Sequence, residues 1–322
     1  MPLLPRSIGK PSTPRGRVAI PITQPTNHRK RTSGPDHAKD NTPTEKGELL
    51  SKPSILFHAT ITYTQIGDIM KLTGNTIFIT GGGSGIGRAL AEELHKRGNK
   101  VIISGRRKGH LAAVVTANPG IEAIALDIAD PDNINNVAKK LIQEYPDLNV
   151  LINNAGIMEP DQAAGVIDDG LLLSTVTTNL LGPIRLTSAL VDQLKGRRGV
   201  ILYNTSVLGF VPLAVTAVYS ATKAALHSYA LSQRFLLRDS GVRVLEMAPP
   251  WVRTELMNSQ EAEQAMPLDQ FINETLDVLA TDADEILVEA AKPLRANPGP
   301  HEHALVNGFN EQMLKLPGLS QQ

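Results

Sequence analysis

From residue 75 onward, short unbroken apolar runs alternate with longer amphipathic stretches. That alternation narrows the choice of fold more than any other feature of the chain. The apolar runs are residues 76–80, 100–104, 121–127, 149–156, 199–206 and 242–249. Helical patterns separate them at 86–98, about 107–117, about 131–144, roughly 170–195 and about 217–240. Strands joined by single helices pair in parallel through right-handed crossovers. Strands without polar alternation belong in a sheet covered on both faces. The expected fold class is α/β, a single doubly wound parallel sheet.

Composition agrees, once the chain is divided. Of 322 residues, 41% are hydrophobic and 4% aromatic, so the core must be aliphatic. The 32 basic and 32 acidic residues cancel, which gives no case for a nucleic-acid binder. There is no Cys, so disulfides and thiolate metal sites are excluded. No apolar run is long enough for a membrane span. Residues 1–69 differ from the rest: ten Lys/Arg against five Asp/Glu, 10 − 5 = +5, leaving −5 for the remainder. Nine of the 22 prolines also fall there. The expectation is a disordered, Pro-rich, basic N-terminal extension over 1–69 and a folded domain over 70–322. Residues 1–35 hold no acid, as in organelle transit peptides, but the prolines oppose the amphipathic helix such a peptide needs. A cytoplasmic location is expected, with a mitochondrial one if that segment is a transit peptide.

The stretch Thr-Gly-Gly-Gly-Ser-Gly-Ile-Gly, residues 80–87, joins the first strand to the first helix. Gly81 permits a sharp turn, Gly85 lets backbone approach a pyrophosphate, and Gly87 lets the helix sit close to the sheet. Ser84 and Ile86 lie within the same loop. The helix N-terminus offers free N–H groups and partial positive charge to phosphates. The second strand ends Ile-Ser-Gly-Arg-Arg, 103–107. Gly105 stands where an acid would hold the ribose of NAD, and Arg106 and Arg107 follow. A guanidinium fork suits a 2′-phosphate, which favours NADP, with NAD as the alternative. Asp127, ending the third strand, is placed to touch the adenine. His301 and His303 have metal-ligand spacing but no third ligand, so no metal is expected.

With this loop, Asn-Asn-Ala-Gly (153–156), Ser206 and Tyr-Ser-Ala-Thr-Lys (219–223), the chain resembles the short-chain dehydrogenase/reductase family. Ala-Pro-Pro-Trp-Val-Arg-Thr-Glu-Leu (248–256) and Glu-Ile-Leu-Val-Glu (285–289) look like its bacterial DltE-like oxidoreductases. The resemblance implies a Rossmann fold and hydride exchange between a nicotinamide and a carbonyl or secondary alcohol. It implies that Tyr219 is the general acid/base, that Lys223 favours the phenolate and binds the cofactor, and that Ser206 hydrogen-bonds the substrate oxygen. Thr205 is the competing hydroxyl, but strand alternation sends the two to opposite faces and the 13-residue spacing to Tyr219 selects Ser206. Asn179 matches the residue whose backbone holds a relay water.

Further matches are Asn154, Ala155 and Gly156 beside the adenosine, and Val252 and Thr254 near the carboxamide. Pro250 replaces a family glycine, which stiffens that turn and removes an N–H. Lowering a phenol by about three pKa units needs roughly 4 kcal/mol, which a lysine and the nicotinamide charge together would supply. A substrate lid is expected from about 255. His227 reads as a packing or interface residue. Trp251 reads as a pocket wall or a cover for the sheet end. The implied partner is a small carbonyl or alcohol, and the helices at 170–195 and 217–240 imply a homodimer or homotetramer. The rival reading is a catalytically silent cofactor-binding or interaction protein of the same fold.

Overall fold

A computed structural model describes residues 70–296 and 299–316. The N-terminal extension lies outside the described residues. The elements are β1 (Thr76–Thr80), α1 (Gly85–Lys96), β2 (Lys100–Gly105), α2 (Lys108–Ala117), β3 (Glu122–Ala125) and α3 (Pro131–Glu144). Then come β4 (Leu148–Asn153), α4 (Asp169–Val176), α5 (Gly182–Gly196), β5 (Val200–Asn204), α6 (Ala217–Leu237) and β6 (Arg243–Met247). The chain continues through α7 (Leu268–Leu279), β7 (Glu285–Ile286), α8 (Lys292–Arg295) and α9 (Glu302–Met313).

The strands form one parallel sheet in the order β3-β2-β1-β4-β5-β6-β7. The order reverses between β1 and β4, and ligands of such sheets bind at that switch point, beyond the carboxyl ends of the strands. Alternation within each strand divides the core in two. Ile77, Ile79, Val101, Ile103, Val150 and Ile152 pack on one face with Leu90, Leu94, Leu111 and Phe271. Phe78, Ile102, Leu151, Ile201 and Tyr203 pack on the other with Ile134, Leu186, Leu190 and Leu226. Helices α1, α2 and α7 therefore cover one face, and α3, α5 and α6 the other.

β1 and β2 reach the ends of their apolar runs, whereas β3, β4, β5 and β6 stop two or three residues short, where the chain leaves the sheet to build the loops of the switch point. The helix expected over 170–195 is interrupted by a π turn, Thr177–Leu181. Four elements go beyond the sequence expectation. One is β7, only two residues long and paired to β6. Helices α8 and α9 follow it. The fourth is α7, in a stretch expected to belong to the lid. Its Phe271, Ile272, Thr275, Leu276 and Leu279 recur at helical spacing and are buried. Residues between 255 and 264 line the cavity, whereas α7 does not.

Candidate active site

The glycine loop is held by close packing. Gly81 and Gly85 have φ of +69° and +53°, in the left-handed region that favours glycine. A Cβ on Gly87 would lie 2.3 Å from Asn154 Nδ2 and 2.5 Å from the Gly81 carbonyl oxygen. The loop thus rests directly on the segment after β4. Thr80 fixes that segment: its hydroxyl accepts from the backbone N–H groups of Asn154 and Ala155, both at 3.0 Å. Asn154 Nδ2 in turn donates to the Thr80 carbonyl at 2.9 Å. Asn204 Nδ2, at the end of β5, donates to Asn154 Oδ1 at 2.8 Å. The ends of β1, β4 and β5 are so tied into one platform.

Above it lies a cavity of about 1110 Å³. Ser84, Gly85 and Ile86 bring the N-terminus of α1 to its wall, and the first turn of α1 carries no acid. Asn154, Ala155, Gly156, Val252 and Thr254 also line it. A glycine cradle at a helix N-terminus, opening on a long cleft at the switch point, fits a dinucleotide.

The arginines divide their work. Arg106 is exposed on the cavity wall. Arg107 is tied down: Nη2 donates to Ser84 Oγ at 2.6 Å and Nη1 pairs with Glu255 at 3.1 Å. His110, which sequence reasoning passes over, lines the same end. Asp127 is turned to local use, its Oδ1 accepting from Ala129 N at 3.0 Å, while Leu126 and Ile128 form the wall there.

Ser206, Tyr219 and Lys223 meet at the opposite end of the cavity, all buried. Tyr219 and Lys223 lie one turn apart on α6, whose start is held from afar by Asp161 Oδ2 accepting from Val218 N at 2.8 Å. Lys223 Nζ donates to the Asn204 carbonyl at 2.7 Å and lies 5.4 Å from the Tyr219 ring centroid. Burial pushes the Tyr219 phenol up to about 12, and the hydrogen bond with Ser206 offsets part of this. Burial brings the Lys223 ammonium down to about 8, against the Glu246 carboxylate, which favours the charge. The sequence expectation has the lysine and a nicotinamide charge together pulling the phenol down. Among protein groups alone, desolvation dominates for both side chains.

Asn179 sits in the π turn, and its side chain grips Ile157 twice. Its Oδ1 accepts from Ile157 N at 2.9 Å and its Nδ2 donates to Ile157 O at 2.8 Å. The π turn departs from the regular helical ladder, and such turns recur at functional sites.

Behind this group runs a buried polar chain that the sequence does not disclose. The fully buried Glu246 accepts from Thr205 at 2.7 Å and pairs with His227 Nδ1 at 2.7 Å. Glu285 lies beside them, held by Arg295 through two bonds of 2.8 and 2.9 Å. His227, Glu246 and Glu285 are close enough to one another to serve as metal ligands. Arg295 and Thr205 already compensate the two carboxylates. His227 is therefore an electrostatic partner as well as a packing residue.

The segment expected to form a lid begins after β6. Arg253 stitches it, donating to the carbonyls of Ala262 and Ala265, both at 3.0 Å, and of Glu263 at 2.9 Å. Met257 and Asn258 both have positive φ, so its tip is a strained turn. Trp251 does wall the cavity.

A family model described as short chain dehydrogenase matches residues 75–265. An uncharacterized oxidoreductase DltE from Bacillus subtilis is 40% identical over 233 residues, 70% of this chain and 92% of the relative. A serine 3-dehydrogenase from Agrobacterium fabrum is 31% identical over 234 residues, 72% of this chain and 94% of the relative. The crystal structure of a short chain dehydrogenase from Burkholderia cenocepacia, in complex with NADP, is similar at TM-score 0.65 and 25% identity. It covers 77% of this chain and 100% of its own.

Proposed function

This chain belongs to the short-chain dehydrogenase family, whose members are NAD(P)-dependent oxidoreductases, and from that premise we propose an NADP-dependent enzyme that interconverts a carbonyl compound and an alcohol. One observation carries the reading: Ser206, Tyr219 and Lys223, all buried and the last two one turn apart, share a cavity with the glycine cradle. A bound nicotinamide supplies or takes the hydride. Ser206 holds the substrate oxygen. Tyr219 gives that oxygen its proton in reduction and takes it back in oxidation. Lys223 supplies positive charge beside the phenol, and Asn179 fixes the Ile157 backbone and the π turn next to it.

Gly81, Ser84, Gly85, Ile86 and Gly87 would hold the pyrophosphate. Asn154, Ala155, Gly156 and the turn held by Asp127 would flank the adenosine, and Val252 and Thr254 the carboxamide. Arg106, Arg107 and His110 support NADP, because they offer donors to a 2′-phosphate and Gly105 stands where an acid would hold the ribose of NAD.

Self-association belongs to the same reading. Leu173 on α4 and Leu231, Phe235 and Leu236 on α6 are exposed apolar side chains on the helices expected to pair. Sedimentation velocity should show a dimer or tetramer, and a purely monomeric protein would rule this out.

No helix among the described residues is long and apolar enough to cross a membrane. The deciding experiment compares NADPH oxidation by the wild type and Tyr219→Phe over a carbonyl panel. Loss of about 10²–10⁴-fold in turnover is expected, with NADPH binding unchanged. Near-normal turnover in the variant would refute the mechanism. A wild type that binds NADPH but turns over nothing would favour the silent cofactor-binding protein.

A further inference from the structure

The catalytic end of the cavity is walled by α9 as well as by the lid. Asn310 pins α9 in place: its Oδ1 accepts from Ala214 N and its Nδ2 donates to the Pro212 carbonyl at 3.0 Å. The clamp puts Phe309 and Met313, with Leu316 just beyond the helix, on the cavity wall. All three are half-buried. Met158, Leu208, Leu213 and Trp251 line the same cavity. The Trp251 indole N–H is already spent on Ser259 Oγ at 2.8 Å, so the residue offers a ring without a donor.

The charges on the wall fall elsewhere. Arg106, Arg107 and His110 sit at the end of β2 and the start of α2, beside the glycine loop. Lys223 is bonded to the Asn204 carbonyl. Glu261 and Glu263 are exposed on the cavity wall, where they would repel an anion, and Glu255 is paired with Arg107. No cation other than Lys223 serves the catalytic end among the cavity-lining residues. An anionic substrate would lose hydration there without gaining a partner, whereas a hydrocarbon tail would be sheltered from water.

Resting on the oxidoreductase reading, we propose that the substrate is an uncharged, largely apolar carbonyl compound or alcohol whose tail lies against α9. Reduction places hydride on the carbonyl carbon and the Tyr219 proton on its oxygen, and the NADPH is oxidised.

The test compares three ketones by kcat/KM with NADPH: nonan-2-one, its terminal carboxylate analogue 8-oxononanoate, and butan-2-one. Nonan-2-one should exceed 8-oxononanoate by at least about tenfold. It should exceed butan-2-one by up to about fourfold for each methylene buried. The double variant Phe309→Ala/Met313→Ala should raise KM for nonan-2-one about tenfold and leave butan-2-one unchanged. An active enzyme that prefers the carboxylate, or a double variant that affects both neutral ketones alike, overturns this inference alone. NADPH binding without turnover of any of the three overturns both this inference and the oxidoreductase reading.

Discussion

The Thr205 hydroxyl donates to Glu246 Oε1 at 2.7 Å, in the layer directly behind the Ser206–Tyr219 pair. Neighbouring residues thus serve two purposes. Ser206 meets the phenol, while Thr205 helps hold a fully buried carboxylate that favours the Lys223 ammonium.

That arrangement predicts a pH effect. If Lys223 must be charged, kcat/KM should fall as pH rises through about 8, where the free enzyme's ammonium loses its proton. Glu246→Gln removes the charge that favours the ammonium, so the alkaline limb should move to lower pH. The check is kcat/KM against pH for both proteins. An identical limb would mean that Glu246 serves packing alone.

Lys223 also predicts a stability effect with a definite sign. Its folded value of about 8 lies below the ordinary 10.5. Between those values the unfolded chain binds more protons, so this group makes stability rise with pH there. Below about 8 the buried ammonium costs on the order of 3 kcal/mol, from about 1.4 kcal/mol per unit. Lys223→Met should therefore be more stable than the wild type at pH 7, with the gap closing toward pH 10.5. Urea melts at both pH values measure it, and a destabilised variant at pH 7 would contradict it.

Gly87→Ala should damage the nucleotide cradle. Its new methyl would meet Asn154 Nδ2 and the Gly81 carbonyl well inside contact distance. Overpacking of this kind costs about 1–3 kcal/mol, and here the loop must shift to relieve it. Gly109→Ala on α2, with nothing within 4 Å, is the control and should be neutral or slightly stabilising. Thermal melts and NADPH titration of both variants separate the cases. Equal behaviour would show that the loop tolerates the methyl.

The arginines predict cofactor preference. Arg106→Ala/Arg107→Ala should raise KM for NADPH about tenfold or more and change that for NADH little, since in the proposed NADP reading the lost donors would serve the 2′-phosphate. Glu255→Gln frees Arg107 of its ion pair and should lower KM for NADPH. Matched kinetics with the two cofactors decide it. An equal loss with both would make the pair a structural strap between loop and lid.

Much of the fold and of the candidate site is legible in the amino-acid sequence. The unbroken apolar strands mark a sheet covered on both faces, and the core does lie on both, with Phe78 on one face and Ile77 and Ile79 on the other. The glycine spacing marks the cradle, and the spacing of Ser206, Tyr219 and Lys223 brings the three together. The misses have physical causes. A two-residue strand such as β7 has no period to detect. The seam between lid and α7 is blurred because Pro267 starts the helix without a capping side chain.

What the sequence by itself determined is the part encoded by near neighbours: the element order, the buried face of each element, and the helix turn that sets Tyr219 over Lys223. What only the tertiary structure decided depends on residues far apart in the chain. Arg107 meets Glu255 across 148 positions, Asn310 reaches Ala214 across 96, and Thr205 reaches Glu246 across 41. The direction of the two pKa shifts belongs to the same class. Periodicity is a property of the local backbone, whereas desolvation and charge pairing depend on which distant surfaces close over a group once the sheet has assembled.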